Sequence, residues 1–187
     1  DAHICHHPQF HDLVFDVTDH DAVRAAAEGV AGPIDILINN AGIIGPKRQS
    51  TLDMDFDGFA QTLAVNTLAP LSVVQAFLPQ LQASDRPRIL TISSRMGSMS
   101  HAKSDRIAYR ASKAAVNKVM QGLATDLEPM GIAVAQVHPG WVRTDMGGGS
   151  ADIDVATSAA GILEIAEGLT LDRTGRFYNY DGSALPF

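Results

Sequence analysis

Cysteine is nearly absent: Cys5 stands alone in 187 residues, so no disulfide forms within the chain and the sequence reads as that of a cytoplasmic protein. Long apolar runs are missing too. None approaches the ~20 residues a membrane helix requires, and the opening DAHICHHPQF has neither the basic nor the apolar region of a signal peptide. Cations are outnumbered, 14 Lys and Arg against 21 Asp and Glu for a net charge of -7, and they form no cluster. Counterion release from a phosphate backbone needs a basic face, so nucleic acid is not an expected partner. An initiator Met is absent as well, and the sequence reads as a fragment or a processed form. What is there is an ordinary globular composition, 45% hydrophobic and 19% charged with mean hydropathy +0.03, enough for one domain over 1–187 with a substantial core.

His3, Cys5, His6, His7 and His11 crowd the first segment. With no acidic or second cysteine ligand at a recognisable spacing, they read as a solvated connection rather than a metal site. LVFDV, 13–17, has the β-branched and aromatic content of a strand, and Thr18 and Asp19 can cap a helix running through Val30. DILINNAGIIG, 35–45, is a continuously apolar strand running into a small-residue turn, the pattern of a parallel strand covered on both faces. Asp53–Leu81 reads as one long helix, kinked near Pro70. A strand over Arg88–Ser93, a helix over Tyr109–Leu127, a strand over 132–137, a helix over Val155–Leu169 and a last strand within 176–182 complete the pattern. The glycines at 147–149 predict a mobile segment, as in a lid or a linker. Strands alternating with helix-length crossovers predict a mostly parallel sheet with helices on both faces and ligands beyond the strands' carboxyl ends.

The stretch Ile89–Leu127 carries the chemistry. It places Ser94 at a strand end and Tyr109 and Lys113 one helical turn apart, so phenol and ammonium leave the same helix face. A phenol titrates near 10, and an adjacent ammonium favours its ionised form. A Tyr-x-x-x-Lys pair alone is usually a half-buried tyrosine beside a solvated lysine. Ser93 competes with Ser94, but neighbouring strand residues point to opposite faces, so one of the two faces a site.

Taken together, DVTD at 16–19, NNAG at 39–42, Asn66 in AVNTLAP, ISS at 92–94, YRASK at 109–113 and PGWVRTDM at 139–146 resemble the short-chain dehydrogenase/reductase family, in its carbonyl-reductase branch. The resemblance runs across nearly the whole chain. It implies an α/β fold, a Rossmann-like doubly wound parallel sheet, and an NAD(P)-dependent oxidoreductase transferring hydride between a nicotinamide and a carbonyl or secondary alcohol. It implies that Tyr109 is the general acid, that Lys113 lowers its pKa and holds the nicotinamide ribose, that Ser94 orients the carbonyl, and that Asn66 anchors a water leading to Lys113. It further places Asp16 and Val17 beside the adenine, Asn40, Ala41 and Gly42 along the adenosine ribose, and Pro139, Val142 and Thr144 at the nicotinamide. Trp141, Met96, Met99 and His101 become candidates for the substrate pocket. A small-molecule substrate and NADP or NAD, with a lean toward NADP, are the partners implied, and the long helices offer surfaces for a homo-oligomer, although their apolar residues could equally face the sheet.

One departure from the family pattern is large. No G-x-x-x-G-x-G turn, which would seat a pyrophosphate on a helix N-terminus, occurs anywhere in the sequence. Leu13–Val17 matches the family's third strand, so the first two strands and the first helix are expected to be lacking. In a sheet of order 3-2-1-4-5-6-7 that leaves a gap, and weak cofactor binding is expected of this chain by itself. The alternative function is a non-catalytic relative acting as an association or signalling module.

Overall fold

The computed structural model describes residues 10–187; His3, Cys5, His6 and His7 lie outside the described residues. Residues 10–16 form no regular structure and 17–18 are a turn, so the strand expected over Leu13–Val17 is not formed. Val14 is 92% exposed, and no strand of the described residues pairs with this segment. An extended segment without a ladder partner leaves its backbone groups to water, and β-branched composition alone does not make it a strand.

Helix α1, His20–Glu28, begins where Asp19 accepts hydrogen bonds from the N–H groups of Asp21 at 3.1 Å and Ala22 at 3.0 Å, the capping expected from sequence. Strand β1 is Ile36–Asn39. A short antiparallel hairpin follows, β2 (Gln49–Ser50) with β3 (Asp53–Met54). The single long helix expected from Asp53 therefore starts later and is divided. Asp55 caps α2, Phe56–Leu63, through the Gly58 N–H at 2.9 Å. A π-helical turn over Ala64–Leu68 leads into α3, Ala69–Ala76, and a break at Phe77 separates α4, Leu78–Gln82. The divisions fall where prolines remove a donor: Pro70 stands in the first turn of α3 and Pro79 in the first turn of α4.

Strand β4, Arg88–Ile92, precedes the 21-residue helix α5, Ile107–Leu127. Strand β5, Ala133–His138, helix α6, Val155–Gly168, and strand β6, Arg176–Asn179, complete the chain. The four main strands are parallel in the order β1-β4-β5-β6, which corresponds to the last four positions of the expected seven. One face packs on α3, α4 and α5 through Val74, Leu81, Ile89, Val116, Met120 and Val134, with α1 flanking α3 through Val23 and Val73. The other packs on α6 through Leu90, Ala135, Val137, Ile165 and Leu169. Because every crossover returns to the same end of the sheet, the carboxyl ends of β1, β4 and β5 share one rim.

Candidate active site

Four residues singled out in the sequence converge at that rim. Tyr109 and Lys113 lie in the first two turns of α5 with 9% and 4% of their surfaces exposed. The Lys113 ammonium donates to the Ile92 carbonyl at 2.8 Å and stands 5.8 Å from the centre of the Tyr109 ring. Ser93 and Ser94 diverge as alternation requires. Ser93 Oγ donates to Asn117 Oδ1 at 2.6 Å, beneath α5, whereas Ser94 Oγ accepts from the Met96 N–H at 3.1 Å and stands close enough to the Tyr109 phenol to influence its titration. Gly97 lets the turn over 95–97 lie directly on α5: a Cβ there would come within 2.6 Å of the Lys113 carbonyl carbon.

Asn66 sits in the π-helical turn, where the widened backbone turns its side chain inward. Its amide donates to the Ile43 carbonyl at 2.8 Å and to Ser112 Oγ at 2.9 Å, and its carbonyl accepts from the Ile43 N–H at 2.8 Å. It thereby clamps the turn after β1 to α5. Gly42 lies between Asn66 and Lys113, since a Cβ on it would be 3.4 Å from Asn66 Oδ1 and 3.5 Å from Lys113 Nζ.

The electrostatics differ from the sequence expectation in one respect. Burial raises the Tyr109 phenol above its ordinary pKa; the Ser94 hydroxyl and the Arg106 charge oppose this without overcoming it. Burial also lowers the Lys113 ammonium to about 8. The Lys113 ammonium donates to the Ile92 carbonyl rather than to the phenolic oxygen, and burial sets the direction of the Tyr109 shift.

A cavity of about 740 Å³ opens over these groups, lined by Asn40, Gly42, Ser94, Tyr109 and Lys113 and, across it, by Pro139, Val142 and Thr144. Asp16, Val17 and Ala41 are not in its lining; Asp16 is exposed and turns its carboxylate on the N–H and hydroxyl of Thr18, each at 2.8 Å, which holds its pKa below the usual carboxylate range. Of the pocket candidates, Trp141 and Met96 line the cavity, while Met99 and His101 are exposed outside it.

His138, which the sequence places at a strand carboxyl end without assigning it a step, also lines the cavity. Its Nδ1 is buried without a partner, and burial, helped by the Arg95 charge, lowers its pKa to about 4. Its place at the carboxyl end of a buried strand was the available signal.

The 139–154 connection is tied down rather than lid-like. Val142 and Ile153 form a parallel bridge, Trp141 Nε1 donates to the Gly147 carbonyl at 2.8 Å, and the Arg143 N–H donates to the Ile153 carbonyl at 2.9 Å. A Cβ on Gly147 would meet the Val142 carbonyl oxygen at 1.9 Å, so the glycine there permits close backbone approach instead of supplying mobility.

Comparisons with known proteins agree with this arrangement. The chain is 41% identical over 167 residues to the C-signal protein of Myxococcus xanthus, covering 88% of this chain and all of that one. Among solved structures, the carbonyl reductase Sniffer of D. melanogaster superposes with a TM-score of 0.87 at 35% identity, covering 92% of this chain and 76% of that one. An NADPH-bound carbonyl reductase from chicken fatty liver gives 0.87 at 31% identity, covering 94% and 76%. The family model described as short chain dehydrogenase matches residues 2–153. With the parallel sheet and the rim just described, these matches show that the chain belongs to the short-chain dehydrogenase family of oxidoreductases.

Proposed function

We propose that the protein is a carbonyl reductase, moving hydride between NADPH and a small ketone or aldehyde, with Tyr109 as the proton donor to the substrate oxygen. The observation that carries this reading is the convergence of Ser94, Tyr109 and Lys113 on one 740 Å³ cavity at the strand ends. Burial keeps the Tyr109 phenol protonated, the form a general acid needs, and positive charge beside it would bring its pKa down toward the operating pH. Ser94 Oγ stands on the same side and fixes the carbonyl against the phenol. As negative charge grows on the tyrosyl oxygen, the nearby Lys113 ammonium stabilises it, and this interaction strengthens in a dry site. Asn66, whose amide is fully engaged by Ile43 and Ser112, positions the loop at Gly42 against Lys113.

The residues present fit the nicotinamide half of the cofactor. Lys113 offers a buried cation, and Gly42, Pro139, Val142 and Thr144 line the cavity beside it. When bound, the nicotinamide supplies the hydride. For the pyrophosphate half the sequence has no glycine-rich turn, so weak dinucleotide affinity is expected of these residues by themselves. A second reading, a family member working through association or signalling rather than turnover, is motivated by the 41% identity to the C-signal protein of Myxococcus xanthus over all of that protein.

The two readings separate on NADPH oxidation with a reactive diketone or an aromatic aldehyde. It is measured on this chain and on a version preceded by a relative's glycine-rich strand-turn-helix. Reduction in the extended version supports the reductase; no turnover in either supports the association module.

A further inference from the structure

A second groove, of about 460 Å³, continues from the candidate active site, and Ile44 and Arg106 line both. It is formed by the loop after β1 and the start of α5, and Gln49 joins the two: Oε1 accepts from the Tyr109 N–H at 3.1 Å, while Nε2 donates to the carbonyls of Ile44 at 3.0 Å and Pro46 at 2.7 Å. The groove is therefore held in register with the proposed proton donor. Its charges are unevenly matched. Lys47, Arg48 and Arg106 line it against Asp53 and Asp105, and both carboxylates are engaged, Asp53 by Arg48 at 2.8 Å and Asp105 by Arg110 at 2.7 Å. Lys47 and Arg106 form no ion pair among the described residues. A chain of net charge -7 thus presents two free cations beside its pocket. Arg106 also holds the left-handed conformation, φ 51°, alone among the described non-glycine residues, and its charge is felt at the Tyr109 phenol.

We propose that this groove is an anion subsite, in which Lys47 and Arg106 receive a carboxylate or phosphate borne by the carbonyl substrate at the end away from the reacting carbon. The inference rests on the carbonyl-reductase reading and adds the substrate class, acidic aldehydes or ketones. A solvent-accessible pair of cations adds modest affinity for an anion, reduced by salt, and larger discrimination by orienting the molecule before reaction.

Trp141 is the one tryptophan of the sequence and lines the cavity, so its fluorescence reports occupancy without cofactor or turnover. The probes are p-formylbenzoate, p-formylphenyl phosphate and the neutral p-tolualdehyde. At low salt at least one anion is expected to bind roughly tenfold more tightly than the neutral aldehyde, and about 0.5 M salt to remove most of that preference. Whichever anion binds more tightly identifies the group. Lys47→Gln and Arg106→Asn should each cut the anion-to-neutral ratio roughly threefold, and together bring it near one; asparagine tolerates the left-handed backbone, and Lys47→Glu gives a second test away from that position. Equal affinities for all three probes, or a ratio unchanged in the double variant, would overturn the anion subsite alone. Failure of all three to bind would overturn the carbonyl pocket together with it.

Discussion

Lys113 is the residue whose surroundings say most about the site. An ammonium 4% exposed, with the Ile92 carbonyl as its acceptor, loses much of its hydration and titrates at about 8 rather than 10.5. The folded state therefore binds this proton less tightly than the unfolded state. Between pH 8 and 10.5 the unfolded chain keeps the proton while the folded chain has released it, so stability rises with pH through that window and is lowest below it. The span is at most about 3 kcal/mol. Urea unfolding of wild type and Lys113→Met across pH 7 to 10.5 should show the wild type gaining relative to the variant as pH rises; parallel curves would mean that the amine is not desolvated.

At the scale of elements, the site depends on backbone that comes unusually close. Gly97 allows the turn after β4 to rest on α5 at Lys113, and Gly97→Ala would place a methyl 2.6 Å from the Lys113 carbonyl carbon and 2.9 Å from the Ala114 nitrogen. Turn and helix must then part, at a cost of about 1–3 kcal/mol. Ser94 moves with the turn, so a lower urea midpoint should accompany a larger loss in kcat than the stability change alone produces. The sequence made legible those elements whose signals are local: α1 by its Asp19 cap and β1 by its continuous apolar run, with β4, α5, β5 and α6 following in the expected alternation. It misled where structure depends on a distant partner. Leu13–Val17 has strand composition but no strand to pair with among the described residues, and β3, Asp53–Met54, falls where the sequence reads as the start of a helix. Of the site, the convergence of Ser94, Tyr109 and Lys113 followed from strand and helix periodicity with the family resemblance. The direction of the Lys113 ammonium did not, because it is decided by the Ile92 carbonyl across the fold, and neither did the burial that raises the Tyr109 pKa.

For the molecule as a whole, the sheet ends abruptly at β1. Its outer edge has no partner strand among the described residues, and α6 alone covers the face toward which Ile36 and Ile38 point, leaving Ile38 42% exposed. An unpaired edge beside exposed apolar side chains is a template for self-association. Ile38→Lys should reduce concentration-dependent association in light scattering without a change in the far-ultraviolet circular dichroism; unchanged association would show that the edge is not responsible. The same end of the sheet is where a dinucleotide's pyrophosphate would be expected, so the completeness of β1's surroundings and the grip on cofactor are linked. The deciding experiment is NADPH oxidation with p-tolualdehyde by the chain carrying a relative's glycine-rich strand-turn-helix at its N-terminus, compared with the same protein bearing Tyr109→Phe. If Tyr109 donates the proton, the parent oxidises NADPH and the variant slows by at least ~100-fold while Trp141 fluorescence still reports aldehyde binding. A variant that turns over at the parent's rate would contradict the assignment.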